Sequence, residues 1–239
     1  MTTRIFDYEI FNDSMKELIN STDNYKKVHI VSGNPEVLLS GLKNSEMLKN
    51  FISENTIIIP DGISTVICSK IVRQPVKEKI AGIEVMDAIV RRCEKEKQGI
   101  FLLGATKDTV DMCNINLRTK YPKLNIVGSH DGYFNLEHCE DLLIDIERVK
   151  PEVLFVAMGC PRQEMFIINY MDRLPCRVFM GVGGSFDIIA GKFKRAPKWM
   201  INLGLEWLYR VAKEPFRIKR LSSIPKFILM VVKENFKNK

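Results

Sequence analysis

Short apolar runs alternate along the chain with longer stretches whose apolar residues recur three and four positions apart. Lys26–Ser32, Thr56–Pro60, Gly99–Ala105, Asn125–Ser129, Val153–Gly159 and Arg177–Gly183 read as strands. Most are apolar on both faces, the mark of a parallel sheet covered by helices on each side. Val85–Gln98, Thr106–Pro122, Glu140–Lys150 and Pro161–Arg173 read as helices, with Thr106 placed to cap the second and Pro161 at a favourable first position of the last. This alternation predicts an α/β fold with a doubly wound, mostly parallel, Rossmann-like sheet, whose ligands sit at the carboxyl ends of the strands.

Past Gly191 the texture changes. Residues 192–239 carry both tryptophans and no strand-like run, and they read as helices broken near Pro215 and Pro225. The expected organisation is an α/β domain over residues 1–191 followed by a basic helical appendage over 192–239.

Charge sharpens that boundary. The chain has 239 residues and a formal net charge of +7, yet Gly191–Lys239 alone holds 13 Lys/Arg against 3 Glu, leaving the preceding residues at −3. A near-neutral body with a basic tail calls for an anionic partner such as phosphate, nucleic acid or anionic lipid. Six scattered cysteines with no CxxC pair fit reduced thiols rather than disulfides or zinc. The N-terminal MTTRIFDYEIFND has no signal-like apolar core, and no run reaches the roughly 18 apolar residues that span a bilayer.

Four predicted strand ends carry polar or glycine-rich sequence: Ser32–Glu36, Pro60–Gly62, Gly159–Glu164 and Gly181–Asp187. In the predicted fold they face one crevice. Gly183, Gly184 and Ser185 lead a strand into a helix, where a backbone can approach a phosphate, although the pattern is neither GxGxxG nor a Walker loop. Gln163 falls in a first helical turn with both a donor and an acceptor to offer a sugar hydroxyl or a uracil edge. Asp61, in Pro-Asp-Gly, is fully explained as a turn residue, but a carboxylate at that strand end is also placed to act as a general base, with Glu36 as the competing acid. His29, His130 and His138 lie in separate elements, and His29 reads as a sheet residue. No DxD-type motif follows a strand, so nothing calls for a metal or other cofactor. In the tail, Arg210, Arg217 and Arg220 share one helical face and suit a diphosphate, while FILMVV between Lys226 and Lys233 suits a helix on an anionic membrane. Nucleic acid is disfavoured, because the aromatics form no stacking platform.

Taken together, PDG at Pro60–Gly62, GYF at Gly132–Phe134, GCPRQE at Gly159–Glu164, GVGGSFDIIAG at Gly181–Gly191 and the basic run Arg195–Arg220 resemble the WecG/TagA/CpsF glycosyltransferases, glycosyltransferase family 26. The resemblance implies an inverting, metal-independent transfer from a UDP-sugar to a polyprenyl-diphosphate-linked sugar at the inner face of the cell membrane, by a cytoplasmic, peripherally bound enzyme. It puts the base on Asp61, an active-site glutamine on Gln163, acceptor-diphosphate ligands on Arg210, Arg217 and Arg220, and a substrate-binding asparagine on Asn34. Lys79 stands where the family usually shows an arginine, Glu84 where it shows an aspartate, and Ser32-Gly33 where a threonine precedes the asparagine. N-acetylmannosamine is the donor sugar the resemblance favours, with its uronic acid, glucose or galactose as alternatives. A non-catalytic nucleotide-sugar or lipid-binding module is the rival class, and a homo-oligomer is left open.

Overall fold

The computed structural model of the protein describes residues 1–213 and 222–237. Eight strands form one sheet: β1 (Thr2–Ile5), β2 (Tyr8–Phe11), β3 (Val28–Ser32), β4 (Thr56–Ile59), β5 (Gly99–Gly104), β6 (Asn125–His130), β7 (Val153–Ala157) and β8 (Val178–Gly181). Their order is β1-β2-β4-β3-β8-β7-β5-β6, and every neighbouring pair except β1–β2 is parallel. The expected doubly wound α/β fold is the observed one.

Between the strands run α1 (Met15–Ser21), α2 (Pro35–Lys43), α3 (Ser45–Phe51), α4 (Ile63–Ile71), α5 (Gly82–Glu96), α6 (Lys107–Lys120), α7 (Glu140–Val149), α8 (Arg162–Tyr170) and α9 (Ser185–Ile189). Three more follow: α10 (Lys198–Asn202), α11 (Glu206–Lys213) and α12 (Ser223–Lys237). Strand residues alternate between two apolar layers. Val28, Ile30, Ile57, Ile59, Leu102, Phe155 and Met180 pack with α1, α5, α6 and α9 on one face. On the other, Phe101, Leu103, Val156 and Phe179 meet α7 and α8, and Ile5, Ile10, Val31 and Ile58 meet α2, α3 and α4.

Two features depart from the sequence pattern. Residues 1–13 form a β-hairpin that extends the sheet through a parallel pairing of β2 with β4. Its strands are four residues each, too short for alternation to stand out, and Tyr8 anchors them by donating its hydroxyl to Leu38 O at 2.8 Å. Pro225 does not break a helix but sits in the first turn of α12, where a missing N–H costs no helical bond. Phe227 and Val231, one turn apart, are fully buried against the layer of α2 and α4. Each such burial contributes about 1.5–3 kcal/mol, so this stretch of the tail is fastened to the α/β body while Leu229 faces outward. Pro215 lies outside the described residues.

His29 is buried in β3, as its strand position suggests. Its Nδ1 meets Asn50 Oδ1 at 2.7 Å and Nε2 has no partner among the described residues. Burial pushes its pKa down to about 4, so it is neutral in the native state. The native protein then binds fewer protons than the unfolded chain between about pH 6.5 and pH 4. Stability is therefore full above that window and is lost as pH falls through it, by ~3 kcal/mol in all. Urea unfolding at pH 7 and pH 4.5 should show a markedly smaller acid loss in His29→Phe than in the wild type.

Candidate active site

At the carboxyl ends of β3, β4, β7 and β8 lies a cleft of about 300 Å³, with Trp207 and Val211 of α11 and Ser223 and Ile224 at the start of α12 along its rim. The chain leaving β3 turns toward β4, whereas α9, leaving β8, packs on α6. Neighbouring strands thus part in opposite directions, and the crevice opens where a doubly wound sheet places its ligands.

Asp61 is fixed from the backbone up. Ile59 O, the last carbonyl of β4, accepts two amides, from Asp61 at 2.8 Å and from Gly33 at 2.9 Å. One acceptor thus ties the turn after β4 to the turn after β3. Gly62, at φ 87°, supplies the left-handed residue that lets α4 start immediately afterward. Gly33 is glycine for want of room, since a Cβ there would lie 2.5 Å from Ile59 O. Thr65, buried in α4, closes the loop by donating its hydroxyl to Gly33 O.

The carboxylate is then aimed by side chains. Ser32 Oγ donates to Asp61 Oδ2 at 2.6 Å, and Asn34 Nδ2 donates to Ser32 Oγ at 2.8 Å. Asn34 Oδ1 caps α2 by accepting from the amides of Glu36 and Val37. Its orientation is therefore set by the helix, and the Asn34–Ser32–Asp61 chain inherits that rigidity. A hydrogen bond to an ionised carboxylate of this kind is worth about 1.5–3 kcal/mol. Asp61 itself is half-buried in the cleft wall.

Opposite stand the glycine loops. Gln163 is buried, and its Oε1 accepts the amides of Gly159 at 3.2 Å and Gly183 at 3.1 Å. Its Nε2 donates to Glu164 Oε1 at 2.7 Å. Burial is the chief cause that raises the Glu164 carboxyl above its ordinary value. The Cys160 thiol is pushed up to about 12, also chiefly by burial, so it is not a nucleophile. Lys79 reaches the cleft from the segment before α5 and donates to Ile201 O of α10 at 3.1 Å.

The whole-chain comparisons agree with one another. The model of the Glycosyl transferase WecG/TagA/CpsF family matches residues 3–239. The chain belongs to this family. Three curated relatives carry the same name, N-acetylglucosaminyldiphosphoundecaprenol N-acetyl-beta-D-mannosaminyltransferase. That of Bacillus subtilis (strain 168) is 40% identical over 86% of this chain and 79% of its own length. Those of Bacillus spizizenii and Staphylococcus aureus (strain MW2) are 34% and 36% identical, over 88% and 92% of this chain and 81% and 84% of their own.

The cleft gathers most of the positions singled out from the sequence of this WecG/TagA/CpsF member: Asn34, Asp61, Lys79, Gln163, Gly183, Gly184 and Ser185 all line it. Arg210 is on α11, the helix that carries Trp207 and Val211 to the cleft, while Arg217 and Arg220 lie outside the described residues. Two of these groups already have partners within the protein. Gln163, read as offering its amide to substrate, has both lone pairs of its oxygen taken up by the loops. Likewise the Gly183 and Ser185 amides, expected to face a phosphate, bond to Gln163 Oε1 and Val182 O. The GYF motif is not among the cleft-lining residues; Arg162 of α8 donates to Gly132 O and Phe134 O and stacks 5.3 Å from the Phe134 ring. Gly82, which opens the amphipathic helix α5, lies close to the proposed base, since a Cβ there would come 3.5 Å from Asp61 Oδ2. Arg195 was carried only within a basic run, but it joins α5 to α11 by pairing Glu84 at 2.6 Å and Glu206 at 3.7 Å. No local pattern announces such long-range partners. Gly33→Ala should cost about 1–3 kcal/mol in urea unfolding by forcing β3 and β4 apart, and restoring stability elsewhere should not restore the Ser32–Asp61 alignment.

Proposed function

We propose that this glycosyltransferase moves a sugar from a UDP-sugar to a polyprenyl-diphosphate-linked sugar by a single inverting displacement, with Asp61 as the base. The observation that carries the reading is the Asn34–Ser32–Asp61 chain, which holds one carboxylate oxygen and leaves the group directed along the cleft wall. The relatives' printed names supply the substrates: N-acetylmannosamine as the transferred sugar and N-acetylglucosaminyl-diphosphoundecaprenol as the acceptor. The uracil nucleotide comes from the family resemblance.

In this scheme Asp61 takes the proton from the acceptor hydroxyl as its oxygen attacks C1 of the donor from the face opposite the nucleotide. The C1–O bond to UDP breaks in the same step and UDP departs with the electron pair. Charge growing on the leaving diphosphate is offset by cations, Lys79 and the α11 arginine Arg210 together with Arg217 and Arg220, rather than by a metal. Holding both substrates beside a fixed base supplies much of the acceleration by orientation alone.

Peripheral attachment to the inner membrane face fits this chemistry. No helix among the described residues is long and apolar enough to cross a membrane. Trp199 and Leu203 are more than half exposed, with Leu208 close behind, on the segment that also carries Lys194, Lys198 and Lys213. Exposed apolar and basic side chains together suit the interface of an anionic bilayer. Such a surface would bring the rim of the cleft to the acceptor's diphosphate.

The test is UDP release from a panel of UDP-sugars with a short-chain lipid-diphosphate N-acetylglucosamine acceptor. UDP-N-acetylmannosamine should be turned over fastest. Asp61→Asn should lower kcat by about 10²–10⁴-fold while UDP affinity, measured by calorimetry, stays close to wild type. Near-normal turnover in Asp61→Asn would remove the base assignment, and release from no UDP-sugar would remove the reaction.

A further inference from the structure

Beside the proposed donor site lies a buried acid for which that reaction has no use. Glu164 is 2% exposed, and its Oε1 accepts from Gln163 Nε2. Its Oε2 meets no partner of ordinary hydrogen-bond geometry among the described residues. An unpaired ionised carboxylate in such a place would cost several kcal/mol, and a bare structural role would be filled better by an apolar side chain. The position therefore calls for an explanation.

The geometry of Gln163 provides one. A glutamine amide can be turned over at almost no change of shape, exchanging its oxygen and nitrogen. Only one orientation serves here, because two backbone N–H groups, from Gly159 and Gly183, need the oxygen. The opposite orientation would set an NH₂ against both. An acceptor at Glu164 Oε1 selects the useful orientation. Gly181 confirms how closely the pair is fitted, since a Cβ on it would come 2.6 Å from Gln163 Nε2 and 3.2 Å from Glu164 Oε1. Gly159 and Gly183 both have positive φ, 76° and 47°, and belong to different loops, the first after β7 and the second after β8. Neither loop bonds to the other directly through these amides. They meet at one oxygen.

We propose that Glu164 is a positioning residue for the donor pocket: it fixes the Gln163 amide, and through that amide it holds the β7–α8 and β8–α9 loops in register. The inference rests on reading the cleft as the nucleotide-sugar site. A carboxyl raised by burial suits the role, since it supplies an acceptor while disfavouring a negative charge behind a diphosphate. Facing it are the Cys160 thiol from its own loop and the Glu36 carboxylate from α2, with Ser40 of α2 bonded to that thiol; the Glu36 charge reinforces protonation, while the Gln163 bond opposes it.

Three proteins test this: wild type, Glu164→Gln, which keeps the acceptor without the titration, and Glu164→Met, which has similar bulk and no acceptor. Amide hydrogen exchange resolved at Gly159 and Gly183 requires no substrate. In Glu164→Met both amides should exchange about tenfold faster, as loss of roughly 1.4 kcal/mol of local protection implies, with the rest of α8 unchanged. Glu164→Gln should match wild type. In turnover, Glu164→Met should raise the donor KM with kcat nearly unaltered, and Glu164→Gln should keep a donor KM that is flat with pH where the wild-type value climbs as the acid ionises. Exchange unchanged in Glu164→Met, faster exchange spread along the whole helix, or Glu164→Gln behaving like Glu164→Met would each overturn the proposal. Should Glu164→Met fail to fold, the wild-type and Glu164→Gln pH profiles decide, and identical profiles reject it. A positive exchange result with no UDP-sugar turnover would leave the clasp standing and fault the functional reading instead.

Discussion

One carbonyl organises the candidate site. Ile59 O ends β4 and accepts the amides of Gly33 and Asp61, so the loops after two adjacent parallel strands share an acceptor instead of each meeting water. The consequence is steric as well as polar. Gly33 must lack a side chain to come so near, and Asp61 must turn back at once, which Gly62 allows. A sheet end is among the stiffest places in an α/β protein, and a carboxylate fixed there needs little reorganisation before it accepts a proton. That is the property general-base chemistry rewards.

The rest of the cleft divides between rigid and applied parts. Asp61, Ser32, Asn34 and Gln163 are held by the sheet, by a helix cap or by backbone amides. Lys79, Trp207 and Val211 line the cleft and involve the segment past Gly191, which meets the body through polar links: Lys79 to Ile201 O, and, outside the cleft lining, Arg195 between Glu84 and Glu206. Ion pairs that are partly exposed contribute little to stability, so these contacts set where the segment lies more than how firmly. α12 differs, because Phe227 and Val231 are buried. The tail is thus anchored by buried apolar side chains in α12 and linked to the body near the cleft by polar contacts.

Much of this was legible beforehand, for physical reasons. Six parallel strands showed themselves because strands covered on both faces are apolar throughout, and their ends carried glycine, proline and acid that nothing in a strand requires. The β1–β2 hairpin did not, because four-residue strands give too few positions for a period to emerge. Asp61 is ambiguous in isolation, because Pro-Asp-Gly makes a turn whether or not its carboxylate has work to do, and its bond from Ser32 becomes visible only in the fold. The partners of Gln163 could not be read from its first helical turn, because Gly159 and Gly183 reach its oxygen only once strands β7 and β8 are side by side. Arg217 and Arg220 lie outside the described residues and their part rests on the family pattern.

Two carboxyl groups border this cleft region with opposite needs, and their surroundings separate them. A base must be ionised, and Asp61 is half-buried with a hydroxyl donating to it and the loop-end backbone around it. Glu164 is buried beside the glycine loops, where burial raises its carboxyl above the ordinary value and a side-chain amide is its partner. On the reading proposed above, exchanging those environments would work against both roles, since Asp61 is proposed to take a proton and a charge at Glu164 would be unfavourable beside a bound diphosphate. The distinction follows from burial, with Asp61 half-buried in the cleft wall and Glu164 2% exposed behind it, rather than from any difference between aspartate and glutamate.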